Sequence, residues 1–190
     1  EMPASILAPI EEVQTAEVLS LEDDSSELKV PAGFQDAVML ESLCEQGKPF
    51  TGFAVVVGPL DYPKMLSDVG QSETDRLMTD VTRTVLDLAR PQDFIAKTAD
   101  DEFVILYAGE TGVASQRRSH SISEKIWDFQ LRALGSYSVV LTWGGSQGEQ
   151  EPLRAVVENA REQMLESRRG RKSMVSSGAG RFRRITPASA

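Results

Sequence analysis

Two short stretches hold the side chains best suited to chemistry. Arg90-Pro91-Gln92-Asp93 sets a guanidinium and a carboxylate three residues apart around a proline. That tetrapeptide suits a type I turn, with Pro at its second position and its ends within about 7 Å. Both charged groups are then expected to project from one small knuckle. A guanidinium offers a planar fork of donors to a phosphate or to the O6/N7 edge of guanine. A carboxylate can accept the N1–H and N2–H of the same base. The plainer alternative is an ion pair closing a surface turn, worth a few tenths to ~1 kcal/mol. The second stretch, Thr98-Ala99-Asp100-Asp101 followed by Glu102, gathers three carboxylates at a tight polar turn. They read either as groups that serve catalysis or as turn residues at a hairpin tip.

Other chemistries are narrowed by what the chain lacks. It has one histidine, His120, and one cysteine, Cys44. Zinc sites built from His and Cys are excluded, and so are nucleophilic triads unless His120 serves in them. Its place in Arg117-Arg118-Ser119-His120 predicts a solvated loop residue. A lone cysteine forms no internal disulfide, which fits a reducing cytosol.

The elements that must position these groups follow from hydrophobic spacing. Phe34 to Gln46 reads as a helix stopped by Gly47 and Pro49. Phe53–Val57 is a continuous apolar run between turn signals and reads as a buried central strand. Ser72 with Asp75 forms a capping box opening a second helix, with Leu77, Met78, Val81, Val85 and Leu88 inward and Pro91 stopping it. Phe94–Lys97 and Phe103–Tyr107 read as a hairpin around the acidic turn. Ser121 with Glu124 predicts the start of a third helix, Tyr137–Trp143 a strand, and Pro152 the start of a helix reaching Gly170. A β-α-β-β-α-β core in this order is the ferredoxin-like, palm-type plan of the α/β (α+β) class, a mainly antiparallel sheet with flanking helices.

Net charge is −9, unevenly spread. Residues 1–28 carry eight acids (Glu1, Glu11, Glu12, Glu17, Glu22, Asp23, Asp24, Glu27) and no base. Residues 1–30 read as an acidic, flexible arm, 31–173 as the folded domain, and 174–190 as a basic tail with room for one short strand. The overall acidity, with Phe182 the only aromatic among the tail's arginines, argues against nucleic acid as a partner. No apolar run is long enough to cross a bilayer, so a cytoplasmic domain is expected. An upstream sensor or membrane anchor is left open by a chain that starts at Glu1.

The row FIAKTADDEFVIL, Phe94–Leu106, resembles the strand-turn-strand of GGDEF domains, the diguanylate cyclases that join two GTP into cyclic di-GMP. The likeness runs from about Phe34 to Lys172, with Gly70 and Asp75, Thr142-Trp143-Gly144 and Gly170-Arg171 as supporting matches. Ala99-Asp100-Asp101-Glu102-Phe103 stands where Gly-Gly-Asp/Glu-Glu-Phe is expected. The family's metal-binding Asp-x-Asp falls on Gly58-Pro59-Leu60, which has no carboxylate, and its Asn-Asp pair on Leu66-Ser67. Phosphoryl transfer of this kind needs divalent metal held by converging carboxylates. The resemblance therefore implies a vestigial catalytic site (Asp100, Asp101, Glu102, Asp75), no metal and no required cofactor. Arg90 and Asp93, with five residues (Phe94–Thr98) between Asp93 and Ala99, stand in the register of the family's inhibitory site, which binds cyclic di-GMP. Lys125 falls where the following helix supplies a second arginine, with Arg117 and Arg118 as alternatives. Three functions remain: a catalytically inactive cyclic di-GMP receptor in bacterial signalling, a nucleotide-independent module forming a homodimer or docking a partner signalling protein, and a residual cyclase using Asp61, Asp101 and Glu102.

Overall fold

A computed structural model describes residues 33–132 and 137–178. The elements are β1 (Gly33–Asp36), α1 (Ala37–Glu45), β2 (Pro49–Pro59), α2 (Tyr62–Leu88), β3 (Phe94–Ala99), β4 (Glu102–Ala108), α3 (Val113–Arg132), β5 (Leu141–Pro152) and α4 (Leu153–Gly178). They form one five-stranded sheet in the order β1-β3-β4-β2-β5. Every pairing is antiparallel except the short parallel contact of β1 with β3. Apart from β1, this is the expected ferredoxin-like order.

β2 is an interior strand between β4 and β5, and its alternation divides the core. Phe53, Val55 and Val57 pack with α2 and α3, while Ala54 and Val56 pack with α1 and α4. Side chains of successive strand residues point to opposite faces, so a strand covered on both faces must be apolar throughout. Ala54 to Val57 are all fully buried.

Several boundaries differ from the sequence reading, each for a physical reason. Phe34 lies in β1 rather than in a helix, because Asp36 caps α1 by accepting from Met39 N at 3.0 Å. α2 starts at Tyr62, ten residues before Ser72. Asp61 is its N-cap, Pro63 sits in its first turn, and Gly70 (φ 77°) breaks it into two helical stretches. The Ser72 reading found only the second stretch. Ser121 and His120 lie inside α3, which starts at Val113. The carboxamide oxygen of Gln147, from β5, accepts from Gly112 N at 2.7 Å and from the Ser115 hydroxyl at 2.8 Å at that start. His120 is exposed, as expected, but on a helix, with Glu124 3.3 Å away.

Tyr137–Val140 is not strand; β5 begins at Leu141 and continues to Pro152 through Gly144, Gly145 and Gly148. Those glycines are required by close packing rather than by a turn: a Cβ on Gly144 would stand 2.3 Å from Ala160 O in α4. α4 passes Gly170 and reaches Gly178, taking in the first residues assigned to the basic tail. The acidic arm and Arg181, Arg183 and Arg184 lie outside the described residues. Among the described residues, no helix is long and apolar enough to cross a membrane.

Candidate functional site

The β3–β4 turn folds onto the end of β2. The Asp101 carbonyl sits so close to Gly58 that a Cβ there would be 2.0 Å from it, and Arg168 Nη2 would be 2.9 Å away. Arg168, from α4, donates from Nε to Thr142 Oγ1 (3.2 Å) and from Nη2 to Asp101 O (3.3 Å). Its Nη1 lies 3.4 Å from the Asp101 carboxylate, with only 17% of the side chain exposed. One helical turn on, Lys172 Nζ pairs with Asp61 at 2.8 Å. That ammonium holds the Asp61 carboxyl below its usual range. Asp61 also caps α2 through Lys64 N. Two cations from one face of α4 thus neutralise the acids at this strand end.

Glu102 is turned the other way. It receives a guanidinium fork from Arg161 (Nε 3.0 Å to Oε2, Nη2 2.8 Å to Oε1) and the Thr98 hydroxyl at 2.7 Å. Burial, the largest single influence, pushes its carboxyl up, but Arg161 and Thr98 together hold it below the ordinary value. A carboxyl depressed on folding stabilises the protein above the unfolded glutamate value, about 4.3, and that contribution is lost as pH falls through the folded value. Glu102→Gln should therefore flatten the acid limb of the stability-versus-pH curve, measured by urea unfolding between about pH 3 and 6. Parallel curves for variant and wild type would remove this assignment.

Asp100 is largely exposed, 4.0 Å from Lys97. Asp75 accepts from Gln71 Nε2 at 2.7 Å and lines an open hollow on α2 with Thr79, Arg83 and Lys97. The sequence-predicted acids are thus dispersed: Asp61 and Asp101 are each engaged by a different cation, Glu102 turns toward Arg161, and Asp75 lies along α2. Among the described residues, no three His, Cys, Asp or Glu gather as a metal-binding group would.

The Arg90–Asp93 turn forms, closed by Asp93 N to Arg90 O at 3.0 Å. Asp93 does not project from it. Its side chain is 2% exposed and accepts from Arg90 N (2.7 Å), Nε (3.0 Å) and Nη2 (2.8 Å). Arg90 Nη2 is also 2.9 Å from Glu110. Glu110 in turn accepts from Arg118 Nη2 at 2.6 Å and Nε at 2.9 Å. The Arg118 guanidinium lies 4.6 Å above the Tyr107 ring, and Tyr107 donates its hydroxyl to Leu88 O at 3.0 Å. Burial pushes that phenol well up, so it stays neutral. Lys125 donates to Asp87 O near the end of α2, and Arg117 is exposed. Of the alternatives for the second cation, it is Arg118 that the fold joins to Arg90, through Glu110.

Glu110, Tyr107, Arg161 and Arg168 are not marked in the sequence, since the partners that bring them to these sites lie 8 to 67 residues away. One signal was available. Arg161, Arg168 and Lys172 recur at spacings of seven and four, a cationic stripe on one face of the last helix.

The profile of the family "Diguanylate cyclase, GGDEF domain" matches residues 37–174. Solved structures of similar fold include the GGDEF domain of DgcB from Caulobacter crescentus in complex with c-di-GMP (TM-score 0.61, 15% identity, 73% of this chain and 85% of that one). The FimX GGDEF domain from Pseudomonas aeruginosa is as similar (0.61, 14%, 73% and 91%). The diguanylate cyclase SiaD from Pseudomonas aeruginosa, in complex with its activator SiaC, matches at 0.58 and 15% over 71% of this chain and 55% of that one. No curated protein matches the chain in sequence. A family profile spanning most of the chain, together with the sheet order and the hairpin carrying Asp101 and Glu102, places this chain in the GGDEF domain family.

Proposed function

We propose that this domain is a degenerate, catalytically inactive member of its family that serves as a cytoplasmic cyclic di-GMP receptor in bacterial signalling, binding through Arg90, whose guanidinium Asp93 holds in place. The observation that carries the loss of catalysis is the Arg168 guanidinium lying against Gly58 and Asp101. A dication there would need carboxylate oxygens at about 2.0–2.1 Å. Gly58 and Leu60 offer none, and the two carboxylates within reach already bind Arg168 and Lys172. The residues present do not fit a catalytic metal.

Receptor function is supported by the opposite condition at the other site. The Arg-x-x-Asp turn is intact, its arginine is 40% exposed, and a second arginine stands beside it across Glu110. DgcB, a relative by fold, was solved in complex with the same ligand. Calorimetric titration of cyclic di-GMP into the protein should give saturable heat, and incubation with GTP and Mg²⁺ or Mn²⁺ should give no cyclic dinucleotide. Absence of heat removes the receptor; detectable product removes the inactivity.

A second reading, a dimerising or partner-docking module, is favoured by one observation. Trp127 is 62% exposed, with Leu131 one turn further along α3 at 44%. Large apolar side chains adjacent on an exposed helix face suit an interface. Light scattering on the ligand-free protein separates the readings: a mass that doubles with concentration, and falls back in Trp127→Ala, supports it.

A further inference from the structure

The Glu110 carboxylate is held by two guanidiniums, as a bound anion would be. Arg118 grips it with a two-point fork and Arg90 adds a third contact. It is 13% exposed, so it competes with ligand from inside the protein. We propose that Glu110 is the resident, displaceable occupant of the anion site between Arg90 and Arg118, an internal carboxylate that a phosphate-bearing ligand must expel. The ligand's identity as cyclic di-GMP rests on the reading above; the site itself does not.

Three features fit an exchange rather than a permanent lock. A phosphodiester presents two oxygens to a guanidinium fork as a carboxylate does, so the arginines need not rearrange. Tyr107 keeps Arg118 in place beneath, and Asp93 keeps Arg90 in place beside it, once Glu110 leaves. Glu110 also lies on a short β4–α3 connection between Gly109 (φ 75°) and Gly112 (φ 56°), both with open space around them. Left-handed glycines on either side let the carboxylate swing outward while β4 and α3 stay fixed. Removing the occupant leaves the charge balance favouring an anion, since two arginines then face only Asp93.

When a binding-competent state is only fractionally populated, apparent affinity falls by that fraction. Deleting the internal competitor should restore it. The test titrates the full chain with inorganic pyrophosphate and with cyclic di-GMP, in wild type, Glu110→Gln, Glu110→Asp and Glu110→Gln/Arg118→Ala. Glu110→Gln is expected to bind pyrophosphate about tenfold tighter than wild type, Glu110→Asp to gain less, and the double variant to lose the gain. Should Glu110→Gln melt early, Glu110→Asp, which keeps the charge and retracts it by one methylene, carries the comparison. Unchanged or weaker binding of both ligands overturns the inference. Cyclic di-GMP that binds wild type and variants equally overturns it while leaving the receptor standing. Tighter pyrophosphate binding with no cyclic di-GMP bound by any form supports the site and removes the receptor.

Discussion

Gly58→Asp, which places a carboxylate at the end of β2, is expected to destabilise the domain by ~3 kcal/mol and to give no cyclase activity. The reason is steric before it is electrostatic. A Cβ at position 58 would stand 2.0 Å from the Asp101 carbonyl oxygen, a main-chain atom of the β3–β4 turn. That atom cannot swing aside as the Arg168 side chain can, so either β2 or the hairpin must shift. Gly58→Ala isolates this part, and overpacking of such a site costs about 1–3 kcal/mol. Arg168→Ala added to Gly58→Ala should rescue little, because it removes the 2.9 Å neighbour and leaves the carbonyl. Urea unfolding of the three variants measures the ladder. A Gly58→Ala protein within 0.5 kcal/mol of wild type would show that the strand end and the hairpin are not closed on each other. Gly58→Asp/Leu60→Asp, incubated with GTP and Mg²⁺, completes the test, and product from it would show that the cleft still opens to a triphosphate.

How much of this was legible in the sequence depends on how far each interaction reaches. Phe53–Val57, the hairpin around Asp100 and Asp101, and the inward stripe from Leu77 to Leu88 depend on neighbours within a few residues, and they were read correctly. The start of α3 depends on Gln147, thirty-five residues downstream of Gly112, and no local capping residue announces it. Gly144 looks like a turn residue until α4 is laid on β5, when it becomes the point of closest approach. The same division runs through the site. The turn at Arg90 is local and is visible in the sequence, as is the apolar character of Gly58-Pro59-Leu60. The burial of Asp93 was not, because the β4–α3 connection brings in Glu110 and Arg118. Where sequence shows a knuckle with two projecting charges, the fold makes a closed cluster of two arginines and two acids. That difference changes what mutation of the motif would report.

Arg90→Ala is therefore expected to destabilise the domain as well as to weaken ligand binding. Removing one member of a buried pair leaves the other charge uncompensated, at a cost of about 3–5 kcal/mol. Asp93, 2% exposed, would keep only the main-chain N–H of residue 90, and Glu110 would lose one of its two guanidiniums. Because Arg90 is itself 40% exposed, the lower end, ~3 kcal/mol, applies. Arg90→Lys keeps a charge near Asp93 but not the planar fork, so it should cost roughly half as much. It should also fold well enough to be titrated. If the receptor reading holds, Arg90→Lys loses about tenfold or more in cyclic di-GMP affinity at unchanged fold, since a single ammonium cannot reproduce two-point recognition of a phosphate or a guanine edge. Urea unfolding and calorimetry on the same two variants separate the contributions. An Arg90→Ala protein as stable as wild type would mean that Asp93 reaches solvent or another donor without strain. The motif would then be a surface ion pair closing a turn, and weakened binding in that variant would report on the ligand alone.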